Sequence, residues 1–256
     1  MLVSGASRSG IVDFRKTPYT FTPNMFSYYS IFYDFNNNGA MLGQAEDNFE
    51  MYVNGRMQTI YNTYSGARIC FVGKSNKAAF VKWGGTYDSL YVYDPYLHKR
   101  EFMAKLNTKL RFSTYRKIYS SSPIENKIVY CDSTGLDVFV INVDTKTTEI
   151  VYSSNTTKSI PVYSPAGDKI AFIEEENNST RIGIIDKNGL NYFNIPSSVL
   201  GPAGAYNIRW HSPNYLVIQQ DYLKVDGDTR NRATLINIKN KSAKILSKSV
   251  SFLKSV

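Results

Sequence analysis

Two cysteines, two histidines and two tryptophans are all that 256 residues contain, and each scarcity excludes something. Cys70 and Cys131 fall within apolar stretches of strand character, not at the close spacing of zinc ligands, so both read as buried thiols of a reducing compartment. His98 and His211 are the only imidazoles, His98 in a charged hairpin where a solvated side chain is expected and His211 beside a turn in a structural role. No Gly-rich loop precedes a helix and no Gly-x-Ser-x-Gly elbow occurs. The expectation is therefore no catalytic residue, no cofactor and no metal site. Long apolar runs are missing as well. The start, MLVSGASRSG, has no apolar segment of the kind that directs export, and no run of about 18 apolar residues appears elsewhere. A chain without a signal peptide or membrane span, working in the cytoplasm or within a virion, is the reading that follows. Acidic residues are outnumbered 21 to 30, and the resulting charge of +9 favours an acidic protein surface, nucleic acid or an anionic membrane face as partner.

What is abundant is strand material. The chain is 43% apolar and 14% aromatic, with 20 Tyr and 14 Phe, and it lacks a stripe of helical period. Five segments share a strand, turn, strand pattern: 31–42, 69–80, 118–130, 160–172 and 208–218. Taking Leu42, Phe80, Tyr130, Phe172 and Ile218 as equivalent gives steps of 38, 50, 42 and 46 residues, the period of a four-stranded propeller blade. A third strand follows each pair at 49–53, 90–93, 138–143, 182–185 and 234–238, and a fourth at 57–61, 101–104, 149–152, 191–195 and 243–246. The turn-forming links Asn54-Gly55, Pro95 to His98, Thr145 to Thr147, Asn188-Gly189 and Asn240 to Ser242 separate third from fourth. The fold class read from this pattern is all-β: a five-bladed β-propeller of four-stranded antiparallel blades. A single domain spans 26–256, and residues 1–25 form either a closing strand or an extended arm that pairs with a second copy into a homo-oligomer.

The best-formed repeat runs from Tyr163 to Phe172, YSPAGDKIAF, with a further strand and the turn Asp186-Lys187-Asn188-Gly189. It resembles the TolB-like propeller repeat, in which W-S-P-D-G-x-x-I-A-F precedes a strand and a D-x-x-G turn. Tyr163 stands for the Trp and Ala166 for the Asp; Trp210-His211-Ser212-Pro213 and Ser122-Pro123 match in part. The resemblance is strongest over 118–218 and implies a fold, not an activity.

Propeller glycosidases place two or three carboxylates on the axis, which makes Asp34, Asp132 and Asp221 worth following. Glu174-Glu175-Glu176 reads as a solvated loop, and Asp226-Gly227-Asp228 as a hairpin turn rather than a calcium loop. Lysines and arginines crowd 99–117 and punctuate 239–254, where they guard outer strands against edge pairing or, if they share a face, contact phosphates. The function expected is a non-enzymatic structural or docking module of a larger assembly, such as a virion or phage-tail component. Its binding residues would be loop aromatics and basic groups: Tyr64, Tyr87, Tyr96, Arg111 and Arg116. A glycan- or small-ligand-binding propeller and a five-bladed glycosidase-like enzyme are the alternatives.

Overall fold

The computed structural model describes residues 2–4, 9–13, 20–23, 31–36, 38–45, 48–62, 69–82, 88–106, 119–176, 179–194, 207–225 and 228–247. Strands and tight turns account for them, with no helix among the described residues. Three N-terminal strands, β1 (Leu2–Ser4), β2 (Ser9–Asp13) and β3 (Thr20–Pro23), pair with one another as an antiparallel meander. Five four-stranded sheets follow, each built from consecutive strands. Blade 1 is β4 (Ile31–Phe35), β5 (Met41–Ala45), β6 (Asn48–Val53) and β7 (Arg56–Asn62). Blade 2 is β8 (Ile69–Phe71), β9 (Ala78–Lys82), β10 (Asp88–Asp94) and β11 (Lys99–Leu106). Blade 3 is β12 (Tyr119–Ser121), β13 (Lys127–Cys131), β14 (Asp137–Asn142) and β15 (Thr148–Ser153). Blade 4 is β16 (Thr157–Tyr163), β17 (Ile170–Glu176), β18 (Ser179–Asp186) and β19 (Gly189–Asn194). Blade 5 is β20 (Asn207–Ser212), β21 (Tyr215–Val225), β22 (Asp228–Asn237) and β23 (Ser242–Ser247). The five-bladed reading holds strand for strand.

The outer hairpins repeat because their turn chemistry repeats. Asp94 Oδ1 accepts the backbone N–H groups of Tyr96 and Leu97, Asn142 Oδ1 those of Asp144 and Thr145, and Asn237 Oδ1 those of Lys239 and Asn240. Four residues after each of these caps the chain turns left-handed, at His98 (φ 50°), Lys146 (φ 60°) and Lys241 (φ 54°). An Asp or Asn side chain replaces the missing backbone partners of the turn, and the left-handed residue returns the chain antiparallel.

Apolar side chains fill the space between neighbouring blades. Phe49, Met51, Phe71 and Phe80 pack between blades 1 and 2; Leu90, Leu106, Ile128 and Ile141 between 2 and 3; Val129, Val138, Ile170 and Phe172 between 3 and 4; Ile160, Ile182, Ile218 and Ile236 between 4 and 5. The inner strands add side-chain bonds at each of these junctions. Asp34 Oδ2 accepts the Phe71 N–H at 3.1 Å, and Ser121 Oγ accepts the Gly73 N–H at 2.8 Å. Ser120 Oγ accepts the Tyr163 N–H at 3.4 Å, and Trp210 Nε1 donates to the Val162 carbonyl at 3.2 Å. Trp210, half of the partial repeat match in the last blade, is thus a fastener between blades 4 and 5.

Candidate interaction site

The carboxylates come first, because an enzymatic reading depends on them. Asp34 holds a neighbouring blade by its backbone. Asp132 accepts the Thr134 hydroxyl and, at 3.0 Å, the Gly135 N–H, which closes the β13–β14 turn. The side chain of Asp221 lies outside the described residues. Glu174 is where the sequence reading needs correction: Glu174, Glu175 and Glu176 form the end of β17 rather than a solvated loop. Pairing of Glu174 with Lys158 on one side and Arg181 on the other carries the strand on, and the strand period turns Glu174 inward while Glu175 stays exposed.

Glu174 and Lys158 are both 0% exposed, and their environment explains how two charges are kept there. Glu174 accepts hydrogen bonds from Thr156, from Ser154 at 2.8 Å, from Tyr152 at 3.3 Å and from Arg181 Nε at 2.8 Å. Lys158 Nζ donates to the carbonyls of Leu136, Ser154 and Thr156, which uses all three ammonium protons, and lies 5.1 Å from the centre of the Tyr152 ring. Desolvation pushes the Glu174 carboxyl upward, but bonds from Thr156, Arg181, Ser154 and Tyr192 outweigh it and hold the group at about 2. Burial lowers Lys158, opposed by Glu174 and the neighbouring acids. Burial also raises Tyr192, whose hydroxyl bonds that of Tyr152. These bonds join blade 4 to the strand that leaves blade 3. Just beyond them Ile160 sits at φ 55°, a rare conformation for a β-branched residue, where the β16–β17 ladder shifts register between Ser159 and Val162.

An open cleft lies elsewhere, between the outer parts of blades 1 and 2. Its volume is 330 Å³, and Thr59, Ile60, Tyr61, Tyr93, His98 and Arg100 line it. Cross-strand register puts Tyr93 opposite Arg100 and Tyr91 opposite Phe102, and since Arg100 and Phe102 are two apart they share one face. That face meets blade 1 through a ladder of rings: Tyr61 stacks on Phe80 at 5.4 Å, Phe80 on Tyr91 at 5.7 Å, and Tyr91 meets Phe102 edge-on at 5.8 Å. The Arg100 guanidinium lies 5.9 Å from the Tyr61 ring centre. The Tyr93 hydroxyl donates to Gln58 Oε1 at 2.9 Å and so receives the Nδ1 proton of His98 at 3.2 Å. His98 is exposed, as the hairpin setting suggested, and tethered at Nδ1, with its Nε2 left for other contacts. Burial raises the Tyr93 hydroxyl, with Arg100 opposing, so it stays protonated in this role.

At the tip of the same hairpin Tyr96 is 61% exposed and Leu97 71%, and the Tyr96 hydroxyl accepts the amide of Asn76 at 2.6 Å. Tyr96 is thus the one sequence-chosen binding residue that the structure describes; Tyr64, Tyr87, Arg111 and Arg116 lie outside the described residues. Arg100 and Phe102 were not singled out as a pair, because their partner wall, Tyr61, comes from the preceding blade.

With this architecture the chain can be set beside known proteins. No protein-family model and no curated protein matches it. Among solved structures, the putative TolB of Agrobacterium tumefaciens superposes at TM-score 0.57 with 14% identity, over 95% of this chain and 90% of that one. The fold is that of a TolB-like β-propeller. TolB from Acinetobacter baumannii matches at TM-score 0.50 and 14% identity, covering 78% of this chain and 49% of its own. The chain thus spans about half the length of that TolB-like relative. An oligogalacturonate lyase in complex with manganese matches at 0.54 and 10% identity, over 82% of this chain and 62% of that one. Among the described residues, no three His, Cys, Asp or Glu side chains gather to hold a metal ion, and no helix is long and apolar enough to cross a membrane. Cys70 and Cys131 form no disulfide; Cys131 is buried, whereas Cys70 is only partly so, less than its strand setting suggested.

Proposed function

We propose that this propeller is a non-enzymatic docking module of a larger assembly, and that it meets its partner through the blade 1–blade 2 cleft and the β10–β11 hairpin. The observation that carries this reading is the exposure of apolar groups there: Tyr96, Leu97 and, at 52%, Phe102 belong to the same β10–β11 hairpin that contributes Tyr93, His98 and Arg100 to the cleft. Exposed aromatics and arginine concentrated at one place are the composition of binding hot spots. The acids Asp34, Asp132 and Glu174, which an enzyme would need, are engaged in holding the fold. A virion or phage-tail setting is the assembly we favour, with residues 1–25 reaching a second copy or closing the ring. A propeller enzyme acting on acidic glycans is the second reading, prompted by the fold shared with the lyase.

Native mass by light scattering tests the assembly role, comparing the full chain with one lacking residues 1–22 at low and high salt. A higher-order species lost on truncation is expected. A monomer in both would end the arm-mediated part of the reading, and release of sugar fragments from an acidic glycan by the purified chain would end the non-enzymatic part.

A further inference from the structure

The docking surface has a chemistry of its own, which the proposed function leaves open. Arg100 and Phe102 stand side by side on β11, the outermost strand of blade 2, with their side chains about 7 Å apart along the strand, as alternate residues of a strand are. The only acid between them, Glu101, turns to the opposite face and is held by Lys99 at 3.1 Å and Lys146 at 3.2 Å. Arg100 has no carboxylate partner among the described residues; its flat guanidinium lies 5.9 Å from the Tyr61 ring centre, and the side chain lines the cleft. Phe102 packs one edge on Tyr91 and leaves half its surface to solvent. The strand edge itself carries backbone donors and acceptors that a second extended chain can pair with.

We propose that the cleft is a binding site for an extended acidic peptide segment, in which one carboxylate is gripped by Arg100 and an apolar side chain two residues away covers Phe102. The main chain of the segment runs beside β11, and His98 Nε2 and Thr59 bound the carboxylate end of the cleft. A carboxylate matches the arginine fork with two parallel hydrogen bonds, which a lysine or a neutral amide in the peptide does not reproduce. The excess of basic over acidic residues in the chain, 30 to 21, acts in the same direction at long range.

This inference rests on the docking reading, and the experiment separates the two. Fluorescence anisotropy is read with three labelled probes: a nine-residue peptide alternating Glu and Phe at every second position between threonines, the same peptide with Lys in place of Glu, and an oligothymidine of equal length. The full chain is expected to bind the acidic peptide in a salt-sensitive manner. Arg100→Ala should weaken it about tenfold or more, Arg100→Lys several-fold, and Phe102→Ser several-fold, while Lys244→Ala on blade 5 should change nothing. Thermal unfolding of each variant confirms that the propeller is intact. Equal binding of the acidic and basic peptides, both lost in Phe102→Ser, would overturn the acidic specificity and leave the docking surface standing. Binding unaffected by either Arg100→Ala or Phe102→Ser would overturn the site itself. Tight binding of the oligothymidine, abolished by Arg100→Ala, would replace the peptide by a nucleic acid.

Discussion

Replacing Glu174 with glutamine removes the carboxylate that pairs with both Lys158 and Arg181, with nearly the same shape left behind. The carboxyl sits at about 2 in the folded chain, against roughly 4.3 for a free glutamate. Two pKa units correspond to about 3 kcal/mol of folding free energy. The sign follows from proton counting. Between about pH 2 and 4.3 the unfolded chain binds the proton and the folded chain does not, so this contribution is full above about pH 5 and fades as the pH falls toward 2. Glu174→Gln is therefore expected to lose about 3 kcal/mol at pH 7, and roughly 6–12 °C in midpoint for a chain of this size. Urea unfolding at pH 7 and pH 3 reads the effect: the gap between wild type and variant should shrink at the lower pH. Adding Lys158→Met should restore a good part of the loss, because the second buried charge then leaves with the first. A single variant within about 0.5 kcal/mol of wild type, or a gap that stays constant between pH 7 and 3, would refute the reasoning.

Two further expectations follow from packing. Gly183 faces the Phe172 ring across the β17–β18 ladder, and a Cβ there would come within 2.1 Å of Phe172 Cζ; Gly183→Ala should cost about 1–3 kcal/mol, and an unchanged urea midpoint would contradict the tight fit. Burial raises the Cys131 thiol well above its ordinary range, so Ellman's reagent at pH 8 should label Cys131 only when urea unfolds the chain, and prompt native labelling of two thiols per chain would contradict its burial.

The blades were legible because local rules agree. Alternating apolar residues, the Ser164-Pro165-Ala166-Gly167 and Asn-Gly turns and a period near 44 residues all ask for the same meander, so even β8, three residues long, was placed by its neighbours. Glu174 was not, since three successive acids look like solvent-facing polarity when read alone. The signal was present at a distance: Lys158 at the head of β16 and Arg181 in β18 pair with Glu174 from both sides, and only the sheet register brings them together. The cleft was hidden for a related reason. Tyr61 closes blade 1 and Arg100 belongs to blade 2, and no spacing within one repeat joins them.

Photo-crosslinking tests the docking claim most directly. A photoreactive residue placed at Leu97 or Phe102, with Lys244 as the control position, is activated in the cells that make the assembly, and the products are sized and identified. The account expects one discrete adduct, the same from Leu97 and Phe102 and absent from Lys244, and expects competition by the acidic peptide to erase it. The same adduct from all three positions, or none from Leu97 and Phe102 while the Lys244 site gives one, would contradict it.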